Sequence, residues 1–394
     1  MKRKRILWLC SWYPSEATPF NGDFIQRHAR AASLYNDIDV IHVSGTIDQS
    51  KTSFFLTSEK GLTETIILYK NRKGLIGKIL HHITWSKLYK KAIEKYIKEK
   101  GKPDLVHVHI PVKAGLIALW IKRKFSIPYI VTEHWGIYNK VLKENYSAKP
   151  SWFKRLTRTV FLNATKLLSV SNYLAAEIRN MISTDLNFTI INNTVNADLF
   201  FYKTKHQEKF RFIHISNMIS LKNVEGILFA FKELQNIKKN AELVIVGENY
   251  FSIKQLAADL GLLNNSVFLK GEIAYSQVAN EIQQSDCLVL FSNIENSPCV
   301  ISEALCCGVP VIATNVGGIP ELVSNDNSIL VEPGNTEKLK EAMIKMMETY
   351  SSFNKYKIAE DAQGKFSYPI IGKEFDLLYR SDMSEKLSGS IQES

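Results

Sequence analysis

The sequence predicts an α/β protein with two domains, each built on a parallel sheet. At 394 residues the chain is longer than one hydrophobic core usually serves. Short apolar runs typical of buried strands alternate with helix-length stretches, as parallel sheets with crossover helices require. The clearest unit is an apolar run at 287–291, then a turn, a helical stretch at 298–308 and another apolar run at 311–314.

The first half of the chain opens with a strand at 6–10. The basic run 2–5 before it resembles the start of a signal peptide, but the apolar run is too short and no cleavage site follows. A loop through Gly22 then leads into a helix that begins near Phe24. Further strands are predicted at 40–43, 103–109, 128–132, 167–170 and 189–191, and further helices at 78–97, 113–124, 152–163 and from 171.

The second half repeats the pattern after a polar linker at about 201–209. Its predicted strands are 210–215, 243–247, 267–271, 287–291 and 311–314, and its predicted helices are 224–236, 298–308, 336–349 and 366–379. Gly317 and Gly318, followed by Pro320, predict the start of one more helix.

Composition restricts the class of protein. The five cysteines form no metal-ligand pattern and no even disulfide framework, which indicates buried apolar residues in a reducing compartment. No apolar stretch approaches the roughly 18 residues that span a bilayer. We therefore expect a cytoplasmic protein, soluble or peripheral on the membrane.

The segment 295–308 carries the chemistry. Ser297 is a good N-cap and Pro298 suits the first helical position, so a helix N-terminus with unpaired amides is predicted here. Such a terminus favours a phosphate. Glu295 before this helix and Glu303 within it can accept hydrogen bonds from hydroxyls. A nucleotide sugar supplies both kinds of group, although a glutamate near a helix start can also serve only the helix dipole.

These residues, with the run GVPVIAT at 308–314 and GGIPELV at 317–323, resemble the retaining glycosyltransferases of family 4, which have the GT-B fold. The resemblance implies two Rossmann-like domains that face each other across a cleft, with the donor on the second and the acceptor on the first. It also implies that Glu303 holds the ribose hydroxyls and that Glu295 contacts the donor sugar. The implied reaction transfers a sugar to an acceptor hydroxyl with retention of configuration.

The resemblance extends to residues elsewhere in the chain. Gly22 lies in the position of a loop that meets the donor phosphates, and His134 matches a histidine that contacts the donor sugar. Lys222 and Asn217 stand where the family usually has Lys and Arg on the diphosphate. Asn217 departs from that pattern, because an amide can donate a hydrogen bond but brings no charge. Ser297 completes the expected donor site.

The domain boundaries follow from the same resemblance. Residues 1–200 are expected to form the acceptor-binding domain and 201–365 the nucleotide-sugar-binding domain. A final helix at 366–380 is expected to pack back on the first domain, and the polar tail 382–394 to be disordered.

No metal or other cofactor is expected. The pair Asp37 and Asp39 has the spacing of a motif that binds a divalent cation with a nucleotide diphosphate in another glycosyltransferase fold. Here the pair precedes its strand, whereas such a motif follows one, so we interpret it as a polar strand entry.

Two other functions remain open at this level. A nucleotide-sugar epimerase shares the fold and needs no acceptor. A non-catalytic nucleic-acid-binding protein is suggested by a pI near 9.2, but no nucleic-acid-binding motif is present, and we expect no nucleic-acid partner.

The distribution of charge bears on the acceptor. Residues 51–100 contain 12 basic and 4 acidic side chains and include the amphipathic helix with Trp85, Tyr89 and Tyr96. A basic helix with aromatic residues can lie on an anionic membrane, or its apolar face can simply pack on the sheet. The first alternative predicts docking on the cytoplasmic face and a lipid-linked acceptor sugar.

Overall fold

The computed structural model of the chain describes residues 2–46, 52–71, 74–205, 208–248 and 251–381. Contacts divide the chain into a first unit, Met1–Asn192 with Tyr368–Ser394, and a second unit, Asn193–Ser367. The predicted disordered tail, 382–394, lies outside the described residues. None of the described helices has the length and apolarity needed to cross a bilayer.

The first unit is built on an eight-stranded sheet in the order β3-β4-β2-β1-β5-β6-β7-β8. Its strands are β1 (Arg5–Cys10), β2 (Asp37–Thr46), β3 (Ser53–Glu59), β4 (Leu62–Lys70), β5 (Leu105–His109), β6 (Tyr129–Glu133), β7 (Leu167–Ser169) and β8 (Phe188–Ile190). Its helices up to this point are α1 (Asp23–Ser33), α2 (Gly74–Lys100), α3 (Ala114–Phe125), α4 (Ser151–Asn163) and α5 (Asn172–Met181). All strand pairs are parallel except β3 with β4. The sequence pattern did not predict β3 and β4.

Helix α2 is anchored to this sheet by its aromatic side chains. Trp85 Nε1 donates to Val43 O at 3.1 Å, and Tyr89 OH donates to Ile41 O at 2.6 Å. All three aromatic residues of the predicted amphipathic face are buried. The apolar face of α2 therefore packs on the sheet, and these rings are not available to a membrane.

The second unit is built on a six-stranded parallel sheet in the order β11-β10-β9-β12-β13-β14. Its strands are β9 (Phe210–Ile215), β10 (Ala241–Val246), β11 (Val267–Leu269), β12 (Cys287–Leu290), β13 (Val311–Thr314) and β14 (Ser328–Val331). Its helices are α6 (Val224–Ile237), α7 (Phe251–Asp259), α8 (Tyr275–Gln283), α9 (Cys299–Cys306), α10 (Thr336–Thr349) and α11 (Lys355–Phe366).

The division between the units lies earlier than the predicted boundary after residue 200. Val195 N donates to Phe366 O at 2.8 Å, and Thr194 Oγ1 donates to the same carbonyl at 2.9 Å. Val195 and Phe200 also pack in a core of the second unit. The segment that follows β8 thus belongs with the second unit because its hydrogen bonds and its apolar side chains are satisfied there.

The last helix, α12 (Tyr368–Arg380), belongs to the first unit. It packs against α1 at Gly372, where a Cβ atom would lie 2.1 Å from Ala31 O, so only glycine fits this approach. Tyr379 OH hydrogen-bonds His107 Nδ1 in β5 at 2.8 Å. Ser367 separates α11 from α12, whereas the sequence pattern predicted a single helix that begins at 366.

All five cysteines lie in the described part of the chain, and none forms a disulfide. Four of them are buried, and burial raises the pKa of the Cys10 thiol, with Glu64 adding to the rise. These four behave as small core residues, as predicted.

Candidate active site

The turn between β12 and α9 differs in one detail from its prediction. The N-cap of α9 is Pro298, so the helix begins at Cys299 and Ser297 does not cap it. The Ser297 hydroxyl is buried and has no hydrogen-bond partner among the described residues. Asn193 Nδ2 stabilises the turn by donating a hydrogen bond to Ser297 O at 2.8 Å. A buried hydroxyl without a partner is costly, and a ligand that hydrogen-bonds it removes that cost.

The second helix predicted at Gly317 is wrong. The segment forms a three-residue 3₁₀ turn, Ile319–Glu321, and the chain then reverses through Ser324–Asn327 into β14. Gly317 has φ +56°, and a Cβ atom there would lie 1.8 Å from Glu295 O. Gly318 N donates to the same carbonyl at 3.0 Å. The two glycines thus pack against and hydrogen-bond the backbone of Glu295, and no α-helix begins at this position.

Glu295 is held by two side chains as well. Lys222 Nζ lies 2.5 Å from Glu295 Oε1, and Ser292 Oγ donates to that oxygen at 2.8 Å. The side chain of Glu295 is 10% exposed and that of Lys222 20%. The structure therefore brings together two predicted donor-site residues that are 73 positions apart in the chain.

Glu303 is buried within α9 and accepts a hydrogen bond from Tyr275 OH at 3.0 Å. Tyr275 is the first residue of α8. The sequence reasoning missed this tyrosine, because nothing in the local pattern links α8 with α9. The phenol orients the carboxylate that the family resemblance assigns to the ribose hydroxyls.

Asn217 lies on the loop that follows β9 and is exposed. The loop is organised by Ser216, whose Oγ bonds His214 Nε2 at 2.8 Å and accepts from Met218 N at 3.0 Å. Burial lowers the pKa of His214 to about 4, with the Lys222 charge adding to the fall. His214 is thus a neutral anchor at neutral pH, and sequence reasoning gave it no role.

In the first unit, Gly22 is the N-cap of α1 with φ +76°. A Cβ atom at this position would lie 2.7 Å from the backbone of Trp12. Only glycine permits this contact, which places the start of α1 against the loop that follows β1. Phe24, two residues on, has its ring centroid 5.0 Å from that of His134. Gly22 and His134 therefore belong to one region of the first unit.

His134 follows β6 and is positioned by its neighbour Glu133. The Oε1 atom of Glu133 accepts from His134 N and from Trp135 N, each at 2.9 Å, and its Oε2 accepts from Tyr138 OH at 2.9 Å. Burial raises the pKa of Glu133 to about 7, although these three hydrogen bonds oppose the rise. The sequence reasoning missed Glu133 as a positioning residue.

His134 also belongs to a buried histidine cluster with His28 and His109. The ligating nitrogen atoms of the three residues lie within 4.8 Å of one another, and His109 Nδ1 is 3.2 Å from His134 Nε2. His28 Nε2 donates to Asn192 O at 3.1 Å. Burial lowers the pKa of His28 to about 4 and those of His109 and His134 well below the usual value. The three rings are therefore neutral at neutral pH.

The geometry of this cluster also permits a metal ion, since neutral imidazoles are common ligands. The pair Asp37 and Asp39, by contrast, is occupied by structural contacts. Asp39 accepts from Tyr96 OH at 2.8 Å and from Lys100 Nζ at 2.6 Å, and Asp37 accepts from Arg3 Nε at 2.7 Å. Strand β2 begins at Asp37, as the polar strand entry predicted.

Two family models match consecutive parts of the chain. The model for Glycosyltransferase Family 4 matches residues 55–199, and the model for Glycosyl transferases group 1 matches residues 196–362. The chain is 24% identical over 391 residues to TuaC of Bacillus subtilis, whose name assigns it to teichuronic acid biosynthesis as a glycosyltransferase. That match covers 94% of this chain and 95% of the relative.

Two solved structures that resemble this one share its fold at low identity. Sucrose-phosphate synthase from Thermosynechococcus elongatus superimposes with a TM-score of 0.76 at 17% identity, over 96% of this chain and 98% of that one. HepE of Anabaena in complex with UDP gives a TM-score of 0.71 at 18% identity, over 96% of this chain and 100% of that one. The same protein in complex with UDP-glucose gives 0.70 at 17% identity.

The two Rossmann-like units and these neighbours confirm the predicted GT-B class. The family models confirm the predicted resemblance. They favour a glycosyltransferase over a nucleic-acid-binding protein. The protein is thus a glycosyltransferase, a member of family 4 with the GT-B fold.

Proposed function

We propose that the protein transfers a sugar from a nucleoside diphosphate donor to an acceptor hydroxyl with retention of configuration. The observation that carries this proposal is the arrangement around α9. A lysine ammonium contacts the carboxylate of Glu295, a hydroxyl without a partner follows at Ser297, and a second buried carboxylate at Glu303 is oriented by Tyr275. Cation, hydroxyl and carboxylates match the phosphate and hydroxyl groups of a nucleotide sugar.

The chain's own groups account for the steps of such a transfer. Lys222 has three N–H donors, so it can keep its bond to Glu295 and also donate to a phosphate oxygen of the departing diphosphate. The amides at the start of α9 and the Ser297 hydroxyl add donors to the same anion. Glu295 orients the sugar, and no metal is needed for this assignment.

The acceptor is proposed from the charge of the first unit and from the relative TuaC, which is named for teichuronic acid biosynthesis. The aromatic residues of α2 are buried in the core, whereas its lysines at 87, 91 and 95 are exposed. These lysines form a basic surface. We take the acceptor to be a lipid-linked sugar in surface polysaccharide or glycoconjugate assembly, met at the cytoplasmic face of an anionic membrane.

The experiment is a panel of UDP, GDP and ADP sugars, offered with and without lipid-linked and soluble acceptors. Products are identified by mass, and the anomeric proton coupling of the new bond reports retention. The proposal expects a glycosylated acceptor with the donor's anomeric configuration. An inverted product contradicts the retaining assignment. Free sugar or an epimer formed without any acceptor would instead identify the epimerase of the same fold.

Membrane docking has its own test by vesicle sedimentation. Binding is expected to require anionic lipid, to weaken with salt, and to fall when Lys87, Lys91 and Lys95 are changed to Gln. The matched control changes three exposed lysines of the second unit, Lys239, Lys254 and Lys345, to Gln. Equal sedimentation with neutral and anionic vesicles, or none with either, would remove the membrane from the proposal.

A further inference from the structure

A cavity of about 480 Å³ lies in the first unit among α2, α3, α4 and the loop that follows β5. We call it the α2–α4 cavity. Its wall is largely apolar and includes Trp85, Trp120, Phe153 and Ile117, and its volume falls in the range of small-molecule sites. The exposed residues that line it include Leu116, Trp152 and Leu156, which are 37%, 65% and 39% exposed. Its apolar wall therefore continues to the surface.

The lining carries positive charge and no negative charge. Lys90 and Lys113 both line the cavity, and none of the described residues that line it is acidic. Neither ammonium forms an ion pair or a hydrogen bond with another described residue, whereas Lys100 pairs with Asp39 and Lys124 with Glu94. Lys90 Nζ lies 5.5 Å from the centroid of the Trp120 ring. The cavity thus combines an apolar interior with two cations that have no anionic partner.

The loop that carries Lys113 is strained. Ile110 has φ +63° and Lys113 has φ +69°, a region that a β-branched side chain such as that of isoleucine rarely adopts. Ser11 holds the loop in this conformation, because its Oγ donates to Ile110 O at 2.7 Å and accepts from Ala114 N at 3.3 Å. The loop begins directly after His109, a member of the buried histidine cluster. It therefore links the cavity with the region of His134.

We propose that the α2–α4 cavity binds the hydrocarbon chain of a lipid-phosphate acceptor, with the phosphate on Lys113 and Lys90. This inference rests on the proposed function, and it names the subsite that receives the acceptor's anchor. The apolar wall suits a hydrocarbon chain, since burial of apolar surface drives such binding. The unpaired ammonium groups suit a phosphate monoester or diester. Because Lys113 lies on the strained loop that follows β5, the phosphate end of that chain lies at this loop.

The test is direct binding without any donor, by tryptophan fluorescence and calorimetry. The probes are farnesyl phosphate, farnesol and inorganic phosphate, each below its aggregation limit. Farnesyl phosphate is expected to bind at least 10-fold more tightly than either of the others. If farnesol binds as tightly as farnesyl phosphate, the two lysines do not bind the phosphate. If no probe binds, the proposal is wrong.

Two pairs of variants locate the site. Leu156→Asp is expected to weaken farnesyl phosphate at least 10-fold, whereas Leu162→Asp is expected to leave it unchanged. Both leucines are in α4 and are 39% exposed, but only Leu156 lines the cavity. Lys113→Met should weaken farnesyl phosphate about 10-fold and leave farnesol unaffected, and Lys98→Met, at an exposed position of α2 outside the cavity, should change neither. Equal losses within either pair would overturn the assignment.

UDP binding and the thermal midpoint of each variant check that it is folded. The two proposals fail separately. If the protein glycosylates a soluble acceptor but does not bind farnesyl phosphate, the transferase proposal stands and the subsite proposal is contradicted. A protein that binds farnesyl phosphate at this site but transfers no sugar keeps the subsite and loses the proposed reaction.

Discussion

The ammonium of Lys222 lies 2.5 Å from Oε1 of Glu295, and both side chains are largely shielded from water. The lysine comes from the 3₁₀ turn before α6, and the glutamate from the loop after β12. Strands β9 and β12 are parallel neighbours, so their carboxyl ends bring the two loops together. The opposite charges of Lys222 and Glu295 compensate each other in the free protein. Lys222 still has N–H donors that can bind a phosphate.

Lys222→Met is expected to lower the affinity for UDP by about 10- to 100-fold, because a charge-assisted hydrogen bond contributes about 1.5–3 kcal/mol. Uridine, which lacks phosphate, should bind with unchanged affinity. Calorimetry with both ligands checks this. Lys345→Met, at an exposed position of α10, is the control. Equal losses for UDP and uridine would contradict the phosphate assignment.

Asn217→Arg should tighten the binding of a nucleoside diphosphate by about 10-fold. The change supplies the charge that the family resemblance places there, and Asn217 is exposed, so the longer side chain can be accommodated. The control is Asn217→Gln, which lengthens the side chain without charge. Flat or reduced affinity in a folded Asn217→Arg protein would place Asn217 away from the phosphates.

Glu303→Gln should weaken UDP binding by about 10-fold, since a neutral amide accepts more weakly from ribose hydroxyls than a carboxylate does. Tyr275→Phe removes the hydrogen bond at 3.0 Å that orients Glu303 and should cost less, about 3-fold. The 2′-deoxy form of UDP provides the decisive comparison. If Glu303 holds that hydroxyl, the variant should discriminate less between UDP and its deoxy analogue than the parent does.

Donor binding is expected to be independent of divalent metal. Lys222 supplies positive charge, and the carboxylates of Asp37 and Asp39 are engaged by Arg3, Tyr96 and Lys100. Calorimetry with and without EDTA, on protein whose metal content has been measured, checks this. Activity that EDTA abolishes and a divalent cation restores would contradict it. The loss of that rescue in His28→Gln would then locate the ion at the histidine cluster.

The stability of the first unit should fall as the pH drops from about 6.5 toward 4. Burial lowers the pKa of His28 and His42 to about 4, so the unfolded chain binds protons in this range that the folded unit does not. Each such histidine removes about 1.4 kcal/mol per pH unit below 6.5. Glu133, with a pKa near 7, acts in the opposite direction between about 4.5 and 7.

His42→Asn isolates one of these contributions, because an amide N–H can replace the Nδ1–H that donates to Cys10 O at 2.9 Å. Unfolding of the first unit, followed by hydrogen exchange in β2, should show a slope against pH that is smaller by about one proton. Thr57→Asn, at an exposed position of β3 without a titratable group, is the control and should keep the parent slope. Identical slopes for parent and His42→Asn would contradict the assignment.

The local order of strands, turns and helices could be predicted from the sequence because periodicity and turn residues act over a few positions. That order was enough to place Glu295 and Glu303 around one helix and His134 at a strand end. It failed at Gly317, where the outcome depended on a backbone contact with Glu295 rather than on local propensity. It failed too at Ser297, since α9 begins only after Pro298. It also missed β3 and β4.

The sequence by itself determined the class of fold, the family and the segment proposed to bind the donor, since each depends on residues close together in the chain. Only the tertiary structure decided which distant side chains meet. Sheet order brings Lys222 to Glu295, α8 brings Tyr275 to Glu303, and α1 brings His28 to the strand ends that carry His109 and His134. It also decided that the aromatic face of α2 is buried. Such contacts follow from strand order and register, which a one-dimensional pattern of apolar and polar residues does not encode.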